Sequence, residues 1–183
     1  MIHRPFLTVF CVAFVFACAL VWPLPLHLST HWTPSAFGAG HIWVADHLFT
    51  SLVELQDPHW ISDLGYPFIR EARFIGLAPI VASWPLRPIL GAAGSFQLIG
   101  LFSLGLSATL AGFLILRVTE CRRSIAACAG FLYAFSPYCL GVLQTGESPK
   151  GQLWLLPLCI LAFLSFDTSS KKAILYVATT TLL

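Results

Sequence analysis

GSFQLIGLFSLGLSATLAGFLIL, residues 94–116, contains no Asp, Glu, Lys or Arg, and the uncharged run reaches back to Pro88. A helix of about 20 apolar residues crosses roughly 30 Å of hydrocarbon, so this stretch reads as a transmembrane helix. Gly105, Ala108 and Gly112 along it suit close approach of neighbouring helices. Outward from it, the charges leave further uncharged runs at 5–45, 74–86, 124–146, 151–166 and 173–183. The whole chain follows the same bias. Of its 183 residues 57% are hydrophobic and 10% charged, and the mean hydropathy is +0.82. Soluble domains have roughly 45–50% apolar and about 25% charged residues. A soluble enzyme, a disordered tail, a nucleic-acid binder and a disulfide miniprotein are all poor fits to these figures. The formal charge of +2 implies no acidic partner.

The runs predict an all-α, polytopic transmembrane bundle with four complete helices, at about 6–26, 94–116, 125–143 and 151–166. The first ends in Trp22-Pro23-Leu24-Pro25, which is a poor cleavage site and favours an uncleaved anchor over a signal peptide. The fourth is short, and Lys150 can snorkel to extend it. A fifth begins at Ala173 and stops at Leu183 inside an apolar run, so residues 1–183 are expected to be one membrane domain at the N-terminus of a longer chain. The positive-inside rule puts Arg4, Arg117, Arg122, Arg123, Lys171 and Lys172 on the cytoplasmic side. Arg70, Arg73, Arg87 and Lys150 then lie outside. This orientation requires 74–91 not to cross, and Pro79, Pro85, Pro88 and Arg87 interrupt any continuous helix there. The expected location is the inner (cytoplasmic) membrane, with a cytoplasmic N-terminus. None of the six cysteines forms a Cys-x-x-Cys, and they read as small buried hydrophobes.

The exterior loop, 27–91, is too long to be a plain connection and too aromatic to be disordered. Within it, 42–54 reads as an amphipathic helix lying in the membrane plane. Ile42, Ala45, Phe49 and Leu52 share one face, and Asp46, Thr50 and Glu54 the other. Asp57-Pro58-His59-Trp60 marks a turn, and Asp63-Leu64-Gly65-Tyr66-Pro67-Phe68 follows. His27 and His31 have the spacing of two ligands on a helix, but no third ligand accompanies them and two prolines precede them.

Beyond the loop come Leu132-Tyr133-Ala134-Phe135-Ser136-Pro137-Tyr138, then Gly146-Glu147, then Trp154-Leu155-Leu156-Pro157-Leu158. With the Asp-Pro and Tyr-Pro-Phe of the loop, in this order, the chain resembles the N-terminal part of bacterial multi-spanning proteins of the C-type glycosyltransferase superfamily, in particular the YfhO-like ones. The likeness covers about residues 1–170. It implies an integral membrane enzyme that takes a sugar from a polyprenyl-phosphate carrier and transfers it on the exterior face. It also implies an acidic residue in the first exterior loop, acting as general base or metal ligand. No acid stands at 38–41, where that residue is expected. Either Asp46, about two helical turns on, substitutes, or the chain lacks the base.

The candidates follow from the chemistry. A hydroxyl attacking a sugar carbon must lose its proton, which a carboxylate can take: Asp46, Asp57 or Glu147. The plainer readings are a solvated helix face for Asp46, a turn cap for Asp57 and a loop charge for Glu147. A leaving phosphate needs positive charge, which Arg70, Arg73, Lys150 and also Arg87 could supply; interface anchoring is their plainer role. No cofactor is predicted and no metal ligands are assigned, although the resemblance allows a divalent cation. The expected partners are membrane lipid and a polyprenyl-phosphate sugar, not nucleic acid. The alternatives are a non-catalytic membrane protein of the same architecture, binding lipid or assisting envelope assembly, and a transporter fragment. The transporter is disfavoured because the complete helices hold no charge of the kind a translocation path uses.

Overall fold

The structure, a computed structural model, describes residues 3–28, 36–57, 60–61, 70–71, 77–145 and 153–164. These residues are helical: α1 (His3–Leu20), α2 (Ala36–Val53), α3 (Leu77–Ser83), α4 (Arg87–Thr119), α5 (Arg123–Ala134), α6 (Pro137–Thr145) and α7 (Leu155–Leu164). Single 3-10 turns lie at Leu24–Leu26 and Trp84–Leu86. Two residues of the loop on each side, Trp60–Ile61 and Arg70–Glu71, pair as a short antiparallel ladder.

The long helix α4 is the hub, packed by α5 and α1 along its length and by α2, α3 and α7 elsewhere. Small residues make this contact close. A Cβ built on Gly130 of α5 would collide with the Ala108 carbonyl oxygen and lie 2.6 Å from the Gly112 nitrogen. A Cβ on Gly112 would lie 3.0 Å from the Ala126 carbonyl oxygen. The two backbones therefore touch, and dispersion between closely packed backbone atoms holds the contact. On the other side, α1 meets α4 through rings: Phe10 on Phe102 at 4.6 Å and Phe6 on Phe113 at 5.2 Å, both edge-on. Ser95 and Ser103, both buried on α4, return their hydroxyls to the carbonyls of Gly91 and Ile99 one turn back (2.7 and 2.8 Å).

Among the described residues one helical stretch, Ile80–Thr119, is long and apolar enough to cross a membrane. It is not one straight rod. Gly91 has φ 70° and ψ 178°, a conformation essentially reserved for glycine, and it separates the expected crossing at 94–116 from the segment before it. The expectation that 74–91 does not continue the crossing thus meets a backbone break at Gly91. Phe6–Leu20 and Leu155–Leu164 are shorter apolar helices. The helix expected at 6–26 stops at Leu20 and gives way to the turn around Pro23 and Pro25. The helix expected at 125–143 is two, α5 and α6, because Pro137 has no N–H with which to continue the ladder. The fifth helix falls outside the described residues.

Two expectations need correction. The inward stripe of α2 keeps Ile42 and Ala45 but runs on through Leu48 and Ser51 rather than Phe49 and Leu52. Ala45, Leu48 and Ser51 are buried, Leu52 is 44% exposed, and Ala45 and Leu48 pack on Ile80 of α3 and Phe96 of α4. With Leu48 turned inward, Phe49 takes the edge of the stripe, against Trp84 and Arg87. The cysteines are not uniformly buried either: Cys139 is, whereas Cys11, Cys128 and Cys159 lie on outward faces of α1, α5 and α7.

Candidate functional site at the junction of α2 and α4

The 3-10 turn Trp84-Pro85-Leu86 runs directly into α4, whose second residue is Pro88. Proline at the start of each piece fixes φ where the N–H has no partner to lose. Trp84 and Arg87, three residues apart on this turn, both reach Phe49 of α2. The Trp84 ring meets Phe49 edge-on at 5.7 Å, and the Arg87 guanidinium carbon lies 4.0 Å from the Phe49 ring centre. Such a cation–π contact is worth about 0.5–2 kcal/mol, more as it loses water.

Held there, Arg87 donates from Nη2 to Oδ1 of Asp46, an ion pair between residues 41 apart in the chain. The Asp46 side chain is 45% exposed and that of Arg87 22%. The pair is therefore partly screened, and its contribution is closer to the roughly 1 kcal/mol of surface pairs than to that of buried ones. The other guanidinium nitrogen, Nη1, is buried and has no hydrogen-bond partner among the described residues. The same holds for Trp84 Nε1 on the same turn and for His41 Nδ1 on α2. Leaving a buried polar group unpaired costs about 1–3 kcal/mol, so each of these atoms gains by meeting a partner. Beside Asp46 on α2, Trp43 stacks on His47 with ring centres 5.3 Å apart, and His47 Nε2 lies 3.4 Å from Ser51 Oγ.

Of the residues singled out from sequence, Asp46 and Arg87 are brought together. Asp57 is exposed just beyond the end of α2. Arg70 stands in the short ladder opposite Ile61. Arg73, Glu147 and Lys150 lie outside the described residues, as does His31. His27 caps the 3-10 turn rather than sitting in a helix. Phe49, Trp84 and His41 were not foreseen as parts of a site. The signal for them was Trp84-Pro85-Leu86-Arg87-Pro88, where prolines fix a turn that sets a ring and a guanidinium on one side. Among the described residues no three of His, Cys, Asp and Glu gather as metal ligands.

The Tyr133–Tyr138 string has a packing role. Tyr133 donates its hydroxyl to the Leu153 carbonyl at 2.8 Å, tying α5 to the lead into α7, and Phe135 packs edge-on against Phe16 of α1 at 5.0 Å. Set against known proteins, the chain matches no family model, no curated protein and no solved structure.

Proposed function

We propose that the chain is a multi-spanning protein of the inner (cytoplasmic) membrane, N-terminus cytoplasmic, that handles a lipid-linked phosphate on the exterior side. In this reading it is glycosyltransferase-like: a sugar carried on polyprenyl phosphate passes to an acceptor hydroxyl at the α2–α4 junction. Support for the membrane setting comes from the outward apolar side chains of α1 and α7, including Leu7, Val15, Phe16, Leu156 and Phe163, which lipid tolerates and water does not. The observation that carries the functional reading is the meeting of Arg87 with Asp46 beside an unpaired guanidinium nitrogen.

The chemistry is as follows. The acceptor oxygen bonds to the anomeric carbon as the bond from that carbon to the phosphate oxygen breaks. The phosphate keeps the bonding electrons, and its charge is met by a guanidinium, whose fork matches two phosphate oxygens. The acceptor's proton goes to a carboxylate within reach, for which Asp46 is the first choice. Arg70, Arg73 and Lys150 are further phosphate ligands in this proposal, and Asp57 and Glu147 further carboxylates. No cofactor is required; were a divalent cation to take part, Asp46 would be the carboxylate to hold it, and the ion would offset charge on the leaving phosphate.

The test is transfer of a labelled sugar from a polyprenyl-phosphate donor by the purified chain in liposomes. Arg87→Gln should abolish transfer, and Asp46→Asn should slow it by about 10²–10⁴-fold, the usual worth of a general base. Absence of transfer by the unaltered chain sinks the catalytic reading. A second reading, lipid-phosphate binding without catalysis, is favoured by one observation: Asp46 is already engaged by Arg87. Its mark is binding of farnesyl phosphate that Arg87→Gln removes.

A further inference from the structure

Asp46 and Arg87 satisfy each other, and that sets a condition on any anion that uses Arg87. A phosphate group is bound best when two of its free oxygens meet both Nη1 and Nη2 of a guanidinium. Nη2 is taken by Asp46, and Nη1 has no accessible surface. Nη1 meets a ligand only when the guanidinium turns, and turning it breaks the bond to Asp46. The Phe49 ring, 4.0 Å from the guanidinium carbon, provides a surface on which the plane can pivot without losing its cation–π contact. A phosphate held by Nη1 with the pair intact would instead stand beside the Asp46 carboxylate, and like charges at that range repel.

We infer that Asp46 is a built-in competitor for the phosphate on Arg87, a specificity-determining residue whose carboxylate is released only when a phosphate group is seated on both guanidinium nitrogens. The inference rests on the phosphate-site reading above and adds an order to it. The carboxylate that could take the acceptor's proton becomes available after the donor's phosphate has arrived. It also gives selectivity. An anion that meets only one guanidinium nitrogen does not repay the loss of the pair, whereas a phosphate whose two free oxygens engage both nitrogens does.

The experiment measures binding of farnesyl phosphate to the full chain in nanodiscs, with inorganic phosphate and farnesol as comparison ligands. Asp46→Asn should bind farnesyl phosphate about tenfold more tightly than the unaltered chain, equivalent to roughly 1.4 kcal/mol of lost competition. Inorganic phosphate should show the same gain at weaker affinity, and farnesol none. Asp46→Glu, which keeps the charge, should bind like the unaltered chain. Glu54→Gln removes a negative charge near the end of the same helix and should leave affinity unchanged, which separates competition at Arg87 from a general loss of repulsion. Equal or weaker binding by Asp46→Asn, or an equal gain in Glu54→Gln, overturns the inference. Farnesyl phosphate that still binds Arg87→Gln at full affinity overturns the phosphate site itself, a different result. A measurement on the unaltered chain does not depend on any variant folding. Carbodiimide-driven coupling of an amine to Asp46, read by peptide mass, should rise severalfold when farnesyl phosphate is added and not when farnesol is. No rise means that the carboxylate is not displaced, and the inference fails.

Discussion

Replacing Gly130 by alanine tests the packing of the hub. The new Cβ would collide with the Ala108 carbonyl oxygen and stand 2.6 Å from the Gly112 nitrogen, where ordinary contact begins at 3.4 Å. Both obstacles are backbone atoms of α4, so no side chain can swing away to relieve them. The α4–α5 interface must open by about 0.8 Å to clear the Gly112 nitrogen and further to clear the nearer Ala108 oxygen, and a gap of about 0.8 Å already forfeits a quarter to a half of each affected dispersion contact. Overpacking of this kind costs about 1–3 kcal/mol, and a backbone collision belongs at the upper end. Alanine returns just under 1 kcal/mol through its better helix propensity, leaving a net loss of about 2 kcal/mol. The same substitution at Gly141 of α6 is the control, because nothing lies within 4 Å of the Cβ it would add. Gly105→Ala should be mild, since its obstacle is the ring of Phe10, which can shift. The assay is unfolding of the purified chain in mixed micelles against rising SDS, followed by circular dichroism. Gly130→Ala should unfold well before the unaltered chain, and Gly141→Ala at the same SDS fraction or later. Equal stability of Gly130→Ala and Gly141→Ala would refute backbone contact between α4 and α5.

Three further outcomes are expected. Gly91→Ala has open space around its Cβ but a positive φ, so its loss of about 1–3 kcal/mol comes from the backbone alone and should appear in the same SDS titration. Tyr133→Phe removes the hydroxyl bonded to the Leu153 carbonyl, and should lower stability by about 1 kcal/mol while raising proteolytic cleavage just before α7. If the proposed topology holds, Cys121, in the connection between α4 and α5, reacts with a membrane-impermeant maleimide only after cells are opened, and outward-facing Cys11 and Cys159 stay unreactive in both conditions; labelling of Cys121 on intact cells overturns the proposed topology.

Helix positions were legible because uncharged runs mark them directly, and the main helix lies where residues 94–116 put it. The breaks were less so. Gly91 sits inside an uncharged run and looks like any other glycine until its φ is known. Pro137 was visible, but a proline can kink a helix or end it, and only packing decides. The existence of α2 was legible and its inward face was not. Serine at 51 looks like a solvent residue and leucine at 52 a core one, yet the partners Ile80 and Phe96 select the stripe through Leu48. Asp46 and Arg87 were each visible as candidates on their own chemistry. Their pairing was not, because it joins positions 41 apart through a turn whose direction is set by Trp84-Pro85 and by Phe49.

The site also falls where the fold changes character. Along α4 from Gly94 to Gly112, small residues and rings leave backbone against backbone and ring against ring, an arrangement with two steep walls and little freedom. Before Gly91, α2 and α3 are joined to the hub chiefly through Ala45, Leu48, Ile80 and Phe96, and α4 meets them less extensively than it meets α1 and α5. Local opening free energy follows buried apolar contact, so the α2–α3 cap should open more readily than the hub. Arg87 precedes Gly91 and stands with Trp84 on the segment that follows α3, while Asp46 and Phe49 stand on α2, so the ion pair lies within the cap. An ion pair that must part for a ligand can therefore part without disturbing the hub. The Gly130→Ala chain should accordingly lose global stability while leaving the response of farnesyl phosphate binding to Asp46→Asn unchanged; loss of that response would mean that cap and hub open as one unit.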